Sequence, residues 1–247
     1  MFASGTRILL KLSGEALGNH SSDSAEGIVP DILKSICLQI RALSDYRWAI
    51  VVGGGNFFRG AQASWCHRST ADRMGMLATG MNGLALQEMF EHLEMRSHIF
   101  SCGVCSGIGT VYDPSLARKA LKNDEIVICV GGSGLAHMTT DTTSVLRACE
   151  MDCPVILKAS SVDGVYDCDP KYHKNANFLP HITYDQALAQ GWNVMDPTAF
   201  TLAREFRKEI LVFSILESQA LTKLLEGSLR HSFISENKEL KREVFFS

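Results

Sequence analysis

The 247 residues carry 24 Lys and Arg against 27 Asp and Glu, a formal net charge of −3, with 46% hydrophobic and 21% charged residues. This balance excludes wholesale disorder and the basic face of a nucleic-acid binder, and the length suffices for a large α/β core without disulfides or metals. An anionic substrate would have to be met by locally placed groups.

Apolar, β-branched-rich runs predict strands at Arg7–Leu12, Trp48–Val52, Ile99–Cys102, Ile126–Val130, Val155–Leu157 and Ile210–Phe213. Helical patterns lie between several of them. In Asp31–Leu43, residues Ile32, Leu33, Ile36, Cys37, Ile40 and Leu43 share one face. After Ala71, residues Met74, Leu77, Ala78, Met81, Leu84 and Ala85 do the same, and after Asp141 so do Val145, Leu146, Ala148 and Cys149. Alternating strands and helices predict an α/β three-layer sandwich with a mainly parallel central sheet. Asn19–Gly27 and Cys168–Pro180 read as polar loops. With no internal repeat or linker, 1–247 is expected to be a single domain with a flexible tail at 236–247.

No apolar run approaches the roughly 18 residues of a membrane span, so no membrane partner is expected. Met1 to Arg7 lacks a signal peptide's apolar stretch, which predicts a cytoplasmic location. The 8 Cys then read as reduced, mostly buried residues. Cys102-Gly-Val-Cys105 has redox or zinc spacing, yet no second CxxC accompanies it. No metal is assigned to protein ligands.

Three predicted strands end in glycine. The first runs into Ser13-Gly14-Glu15, the second into Gly53-Gly54-Gly55-Asn56, and the third into Gly131-Gly132-Ser133-Gly134. Any one of these serves equally well as a tight turn. Three at the carboxyl edge of a parallel sheet point to anion binding, because glycine lets backbone N–H groups approach phosphate oxygens. The third loop leads through Thr139-Thr140-Asp141 into a helix, whose N-terminus favours an anion. Neither GxxxxGK[ST] nor GxGxxG with a following acidic residue is present, which excludes a P-loop and weighs against a dinucleotide fold. Lys11 and Lys158 stand near strand ends and Arg59 follows the second loop. Phosphoryl transfer needs such cations, since its catalysis is mostly positioning and charge neutralisation.

At this point the chain resembles the amino-acid-kinase superfamily and, within it, the bacterial uridylate (UMP) kinases. The resemblance is carried by Arg7-Ile-Leu-Leu-Lys-Leu-Ser-Gly-Glu-Ala-Leu17, Val52-Gly-Gly-Gly-Asn-Phe-Phe-Arg-Gly60 and Asp72-Arg-Met-Gly-Met-Leu-Ala-Thr-Gly-Met-Asn-Gly-Leu-Ala85. Thr139-Thr-Asp141, Lys158-Ala-Ser-Ser-Val-Asp-Gly-Val-Tyr166, Asp169-Pro170, Val194-Met-Asp196 and Ala199-Phe-Thr-Leu-Ala-Arg204 follow in the family's order. The blocks opening at Asp72 and Val194 resemble UMP kinases in particular.

The resemblance implies an ATP-dependent nucleoside monophosphate kinase. It would pass the γ-phosphoryl of ATP to UMP, giving UDP and ADP in pyrimidine nucleotide (UTP and CTP) biosynthesis, with Mg2+ on the ATP phosphates. It also implies a cytoplasmic homohexamer with the helix after Ala71 at the dimer contact, inhibited by UTP and in many members activated by GTP. By position, Lys11, Leu12, Ser13, Gly14, Gly55 and Arg59 would face the ATP phosphates, and Ser160, Tyr166 and Asp169 the adenosine. Gly54, Asp72, Ser133, Gly134, Leu135, Ala136, His137, Met138, Thr139 and Thr140 would face UMP. Lys11 and Lys158 would be catalytic, with Asp141, Asp163 and Asp196 holding the lysines or magnesium in a division the sequence leaves open. Leu135–Met138 stands where the family usually has Asn, Pro and two aromatic residues, a departure that bears on pyrimidine selectivity. The alternatives are a kinase of the same fold acting on a carbamate or carboxylate, and a non-catalytic nucleotide-binding storage protein.

Overall fold

A computed structural model describes residues 2–18, 27–170, 172–192 and 194–236. The expectations for the polar loop 19–27 and the tail 236–247 fall almost wholly outside these residues.

The elements in chain order are β1 (Arg7–Leu12), α1 (Pro30–Ala42), β2 (Arg47–Val52), α2 (Arg68–His92), β3 (Ser97–Ser101), β4 (Thr110–Val111) and α3 (Pro114–Lys122). There follow β5 (Ile126–Val130), α4 (Thr140–Glu150), β6 (Val155–Ser160), β7 (Val165–Tyr166), β8 (Phe178–Leu179), β9 (His181–Thr183) and α5 (Tyr184–Gln190). The last are α6 (Pro197–Glu205), β10 (Glu209–Ser214), α7 (Ala220–Leu225) and β11 (His231–Ser235). Nine strands form one sheet in the order β4-β3-β5-β2-β1-β6-β10-β11-β9, and β7 and β8 form a separate hairpin. From β4 to β10 every pairing is parallel; β11 reverses against β10, and β9 runs parallel to β11.

The expected three layers are present. Alternation along each strand feeds two cores. Ile8, Leu10 and Leu12 join Leu157, Leu33, Ile36 and Phe90 on one face. Leu9 joins Ile156, Val145, Ala148 and Phe200 on the other. Helix starts follow their capping chemistry: Asp113 accepts from Ser115 N–H ahead of Pro114, and Thr183 and Gln186 make a reciprocal capping box for α5.

Several boundaries differ from expectation. The strand expected at Val155–Leu157 continues to Ser160, so Lys158 lies inside it. Cys102 is not a strand residue but begins the turn after β3. The polar stretch Cys168–Pro180 contains β8. The apolar stripe of α2 is largely its outer face: Leu77, Met81 and Leu84 are 49%, 51% and 47% exposed. The helix instead buries Ala71, Ala78, Thr79, Asn82, Gly83, Leu86 and Phe90. Small residues let it settle onto the sheet, and a Cβ on Gly83 would meet Val130 Cγ1 at 2.2 Å.

A buried amide pair ties α2 to the loop after β2. Asn82 Nδ2 donates to Gly53 O at 2.7 Å and to Asn56 Oδ1 at 2.8 Å, and Asn56 Nδ2 donates to Gly27 O at 2.7 Å. Asn82 is fully buried. Asn82→Ala strands the Gly53 carbonyl and Asn56 Oδ1 without their donor, at a cost of about 2–3 kcal/mol. Urea unfolding measures this; a loss below about 0.5 kcal/mol, the range of surface substitutions, would show that the pair does not hold the loop.

Candidate active site

Lys11 on β1 and Lys158 on β6 are register partners on adjacent central strands. Both side chains leave the sheet on the face that carries α4. Asp141, in the first turn of α4, stands between them. Its Oδ1 lies 3.1 Å from Lys11 Nζ, and both its oxygens lie 2.7 Å from Lys158 Nζ. The two lysines are 9% and 8% exposed, so all three charges are largely withdrawn from water. Burial pushes the Asp141 carboxyl up, but the two ammonium groups together outweigh it and hold the carboxyl below its ordinary range. Burial and the neighbouring Lys11 charge lower Lys158 to about 8, against the opposing pull of Asp141. The cluster therefore carries one surplus positive charge.

The two lysines and Asp141 open onto a cavity of about 710 Å3, which Ser13, Glu15, Ser160, Tyr166, Asp169 and Trp192 also line. Ser13 caps a short helical turn at Gly14–Leu17 by accepting from Ala16 N–H. Gly14 is wedged into the second glycine loop: a Cβ there would lie 2.4 Å from Asn56 Oδ1 and 2.5 Å from Gly55 N. The first two loops thus interlock. Leu12 is buried in the core, so only its backbone can face a ligand. Gly14, Gly55 and Arg59 are not among the cavity-lining residues; Arg59 reaches its edge through an ion pair with Glu15 at 2.8 Å.

The β7–β8 hairpin forms a wall of the cavity. Tyr166 packs edge-on against Phe178 with ring centres 5.5 Å apart, and its hydroxyl donates to Asp163 at 2.8 Å. Asp163 is also 3.3 Å from the Arg230 guanidinium, so its carboxylate is engaged away from the lysines.

On the other side of α4's start, residues 133–139 form one loop that leads into Thr140 of the helix. Asp72 from α2 accepts from His137 N–H at 2.8 Å and from Arg68 at 2.8 Å. Partial burial pushes the Asp72 carboxyl up, but the His137 N–H and the Arg68 guanidinium prevail and hold it low. His137 adopts a left-handed φ of +65°, and Leu135 and Met138 project into solvent, 62% and 44% exposed. The structure thus brings Asp72 together with the Ser133, Gly134, Leu135, Ala136, His137, Met138, Thr139 and Thr140 stretch. Gly54 sits beneath α2, where a Cβ would meet Gly75 O at 2.6 Å.

Asp196 is not brought to the lysines. It caps α6 by accepting from Ala199 N–H at 3.0 Å, and it accepts the hydroxyls of Thr139 and, at 2.8 Å, Thr142. This clamp fixes the start of α4 and so fixes Asp141. Thr142 and the Asn56–Asn82 pair escaped the sequence reading. Their only signal is a small polar residue where a helix or loop buries itself. The cysteines carry no disulfide among the described residues, and burial pushes the Cys37, Cys129 and Cys153 thiols up to about 12. Cys105 Sγ donates to Met76 O and Cys102 Sγ accepts from Arg147, so the CxxC pair is engaged with the protein.

Chemically, this site places two ammonium groups, bridged by the Asp141 carboxylate, at the wall of one cavity. It suits transfer of an anionic group between two bound molecules.

Residues 6–214 match the Amino acid kinase family. The chain is 41% identical over 241 residues to the uridylate kinase of Magnetococcus marinus, covering 96% of this chain and 99% of that protein. It is 43% identical over 236 residues to the uridylate kinase of Mycoplasma mobile, covering 92% and 96%. Among solved structures, UMP kinase from Ureaplasma parvum superposes with a TM-score of 0.87 at 37% identity, over 94% of this chain and 99% of that one. UMP kinase from Bacillus anthracis gives 0.87 at 32% identity, over 94% and 96%. With this match over most of its length and a buried lysine–aspartate–lysine cluster at the carboxyl ends of β1 and β6, the chain belongs to the amino acid kinase family, in its uridylate kinase branch.

Proposed function

We propose that the protein transfers the γ-phosphoryl group of ATP to UMP, giving UDP and ADP in pyrimidine nucleotide biosynthesis. The observation that carries this reading is the Lys11–Asp141–Lys158 cluster, which opens onto the large cavity on one side of α4's start, with the Asp72-bound loop on the other. ATP occupies the cavity. Lys11, Leu12, Ser13, Gly14, Gly55 and Arg59 attend its phosphates, and Ser160, Tyr166 and Asp169 its adenosine. UMP lies along Gly54, Asp72 and residues 133–140, with the Asp72 carboxylate free to accept further bonds from the ribose. Lys11 and Lys158 neutralise the charge on the transferring group, and Asp141 keeps both ammonium groups in place. Asp196 acts through α4 rather than on the reactants.

Magnesium would come in with the triphosphate. Among the described residues no group of three or more His, Cys, Asp or Glu converges on a metal-sized point, and Asp141 is already held by two ammonium groups. That suits Mg2+, which prefers phosphate oxygens and water to an all-protein cage. Bound with the triphosphate, it would supply further neutralisation of the phosphate charge. In the same reading the protein is a cytoplasmic homohexamer subject to nucleotide effectors, with UTP as inhibitor and GTP as activator where the family's response is retained.

A coupled assay of ADP release with UMP, CMP, dUMP, carbamate, acetylglutamate and aspartate tests the activity. UMP is expected to be the best acceptor, ahead of CMP by about 10²-fold or more in kcat/KM, because a site paired to one base edge rejects the other. Equal use of CMP would mean that Leu135–Met138 has relaxed the site. Turnover of an acyl acceptor without UMP would overturn the reading.

Lys158 must be protonated to act as a cation, and its ammonium sits at about 8 in the free protein. kcat/KM for ATP should therefore fall as pH rises through that value, whereas kcat, which reports the bound state, should fall later because phosphate anions restore the proton. Lys158→Met should lower kcat by about 10²–10³ and abolish the alkaline fall. A variant within twofold of wild-type kcat would remove Lys158 from the mechanism.

The outward Leu77, Met81 and Leu84 stripe of α2 is the apolar surface this assembly would bury. Light scattering should show a species several times the 27.1 kDa chain, and Met81→Glu should split it without unfolding the subunit. A stable, active monomer would overturn the assembly; unfolding by Met81→Glu would place the interface elsewhere.

A further inference from the structure

Arg147 of α4 is 4% exposed and has no part in the cluster described above. Its guanidinium lies 3.7 Å above the Tyr112 ring. One Nη donates to Glu150 at 2.6 Å; the other donates to Cys102 Sγ at 3.1 Å and to Gly132 O at 3.3 Å. Its Nε is buried without a hydrogen-bond partner among the described residues. Burying an arginine this incompletely satisfied is costly, and an apolar side chain of similar size is often as stabilising. Val145 and Ala148 already supply the apolar contact of α4. Stability alone therefore gives a weak reason for a guanidinium here.

The bond to Gly132 O gives a better one. In a trans peptide the carbonyl of one residue and the N–H of the next point in opposite directions. Fixing the Gly132 carbonyl on Arg147 turns the Ser133 N–H away from the protein interior. Among the described residues that N–H donates to no protein acceptor. The peptide units beside it are also tied down, since Gly131 N–H donates to Thr79 Oγ1 at 2.7 Å and Gly134 N–H to Gly131 O at 3.0 Å. The adjoining positive charge polarises the Gly132–Ser133 peptide and makes its N–H a stronger donor. We infer that Arg147 is a positioning residue, which aims and strengthens the Ser133 N–H as a donor to the acceptor nucleotide. This rests on the proposed transfer to UMP and names a further residue that serves it.

The test is steady-state kinetics of Arg147→Met, Arg147→Lys and Tyr112→Leu beside wild type, each checked by thermal melting. Arg147→Met should raise KM for UMP about five- to tenfold, the worth of one well-aimed hydrogen bond, with KM for ATP within twofold of wild type. Arg147→Lys keeps the charge but cannot span Gly132 and Glu150 together, so it should recover part of that loss. Tyr112→Leu removes the stacking surface alone and should move KM for UMP in the same direction, by less. If Arg147→Met does not fold, the other two variants carry the test. A folded variant set with KM for UMP within twofold of wild type overturns the inference. So does a common rise in both KM values with a fall in kcat, which marks a purely structural arginine. Failure of wild type itself to use UMP would overturn the functional reading instead.

Discussion

Two ammonium groups cannot sit side by side in a protein interior unless a carboxylate stands between them. Lys11 and Lys158 are forced into that proximity by the β1–β6 register, and Asp141 resolves it. Much of the surrounding architecture places that one carboxylate. α4 must begin where it does, and its start is fixed from the far side by Asp196 through Thr139 and Thr142. Asp196 in turn caps α6 ahead of Pro197. A single aspartate thus transmits the position of one helix to the start of another, and from there to the charge cluster.

α2 does the equivalent work on the opposite face. Beside the loops its buried side is mostly small and polar (Ala71, Ala78, Thr79, Gly80, Asn82, Gly83), so the helix backbone approaches them closely, while Leu86 and Phe90 enter the core farther along. Asn82 grips the second glycine loop and Thr79 grips the third. Asp72, near its start, holds the loop through His137. A helix with a conventional leucine-rich inner face would stand farther off and reach none of them. The apolar residues it would have used are turned outward.

Much of this was legible in the sequence. The six strands stood out because parallel strands buried on both faces read as continuous apolar runs. The three glycine loops and the two lysines were visible because strand ends in such a sheet converge on one edge. The inner face of α2 was not legible, since an apolar stripe at helical spacing has the same pattern whether it meets a sheet or a neighbouring subunit. β4, β7, β8 and β9 are two or three residues long, too short to show a period. Asp196 was singled out as a site residue, but spacing could not tell a carboxylate that faces a substrate from one that caps a helix and accepts two hydroxyls. Arg147 was passed over because nothing in a helical pattern distinguishes a buried arginine from a surface one.

The order in which these parts leave the ribosome follows from the topology. β1 is made first yet lies at the centre of the sheet, and its partner β6 appears only after β2, β3 and β5. The carboxylate that fixes α4 arrives later still. Until then the first glycine loop, the acceptor loop and both lysines exist without the contacts that set their geometry. The nascent chain therefore carries an unpaired Lys11 and an incompletely covered central strand through much of its synthesis. Loop closures of this span are entropically slow, and partly built parallel sheets expose apolar edges while they wait. The same long-range stitching that makes the finished site rigid leaves the protein most dependent on protection from aggregation just before it is complete.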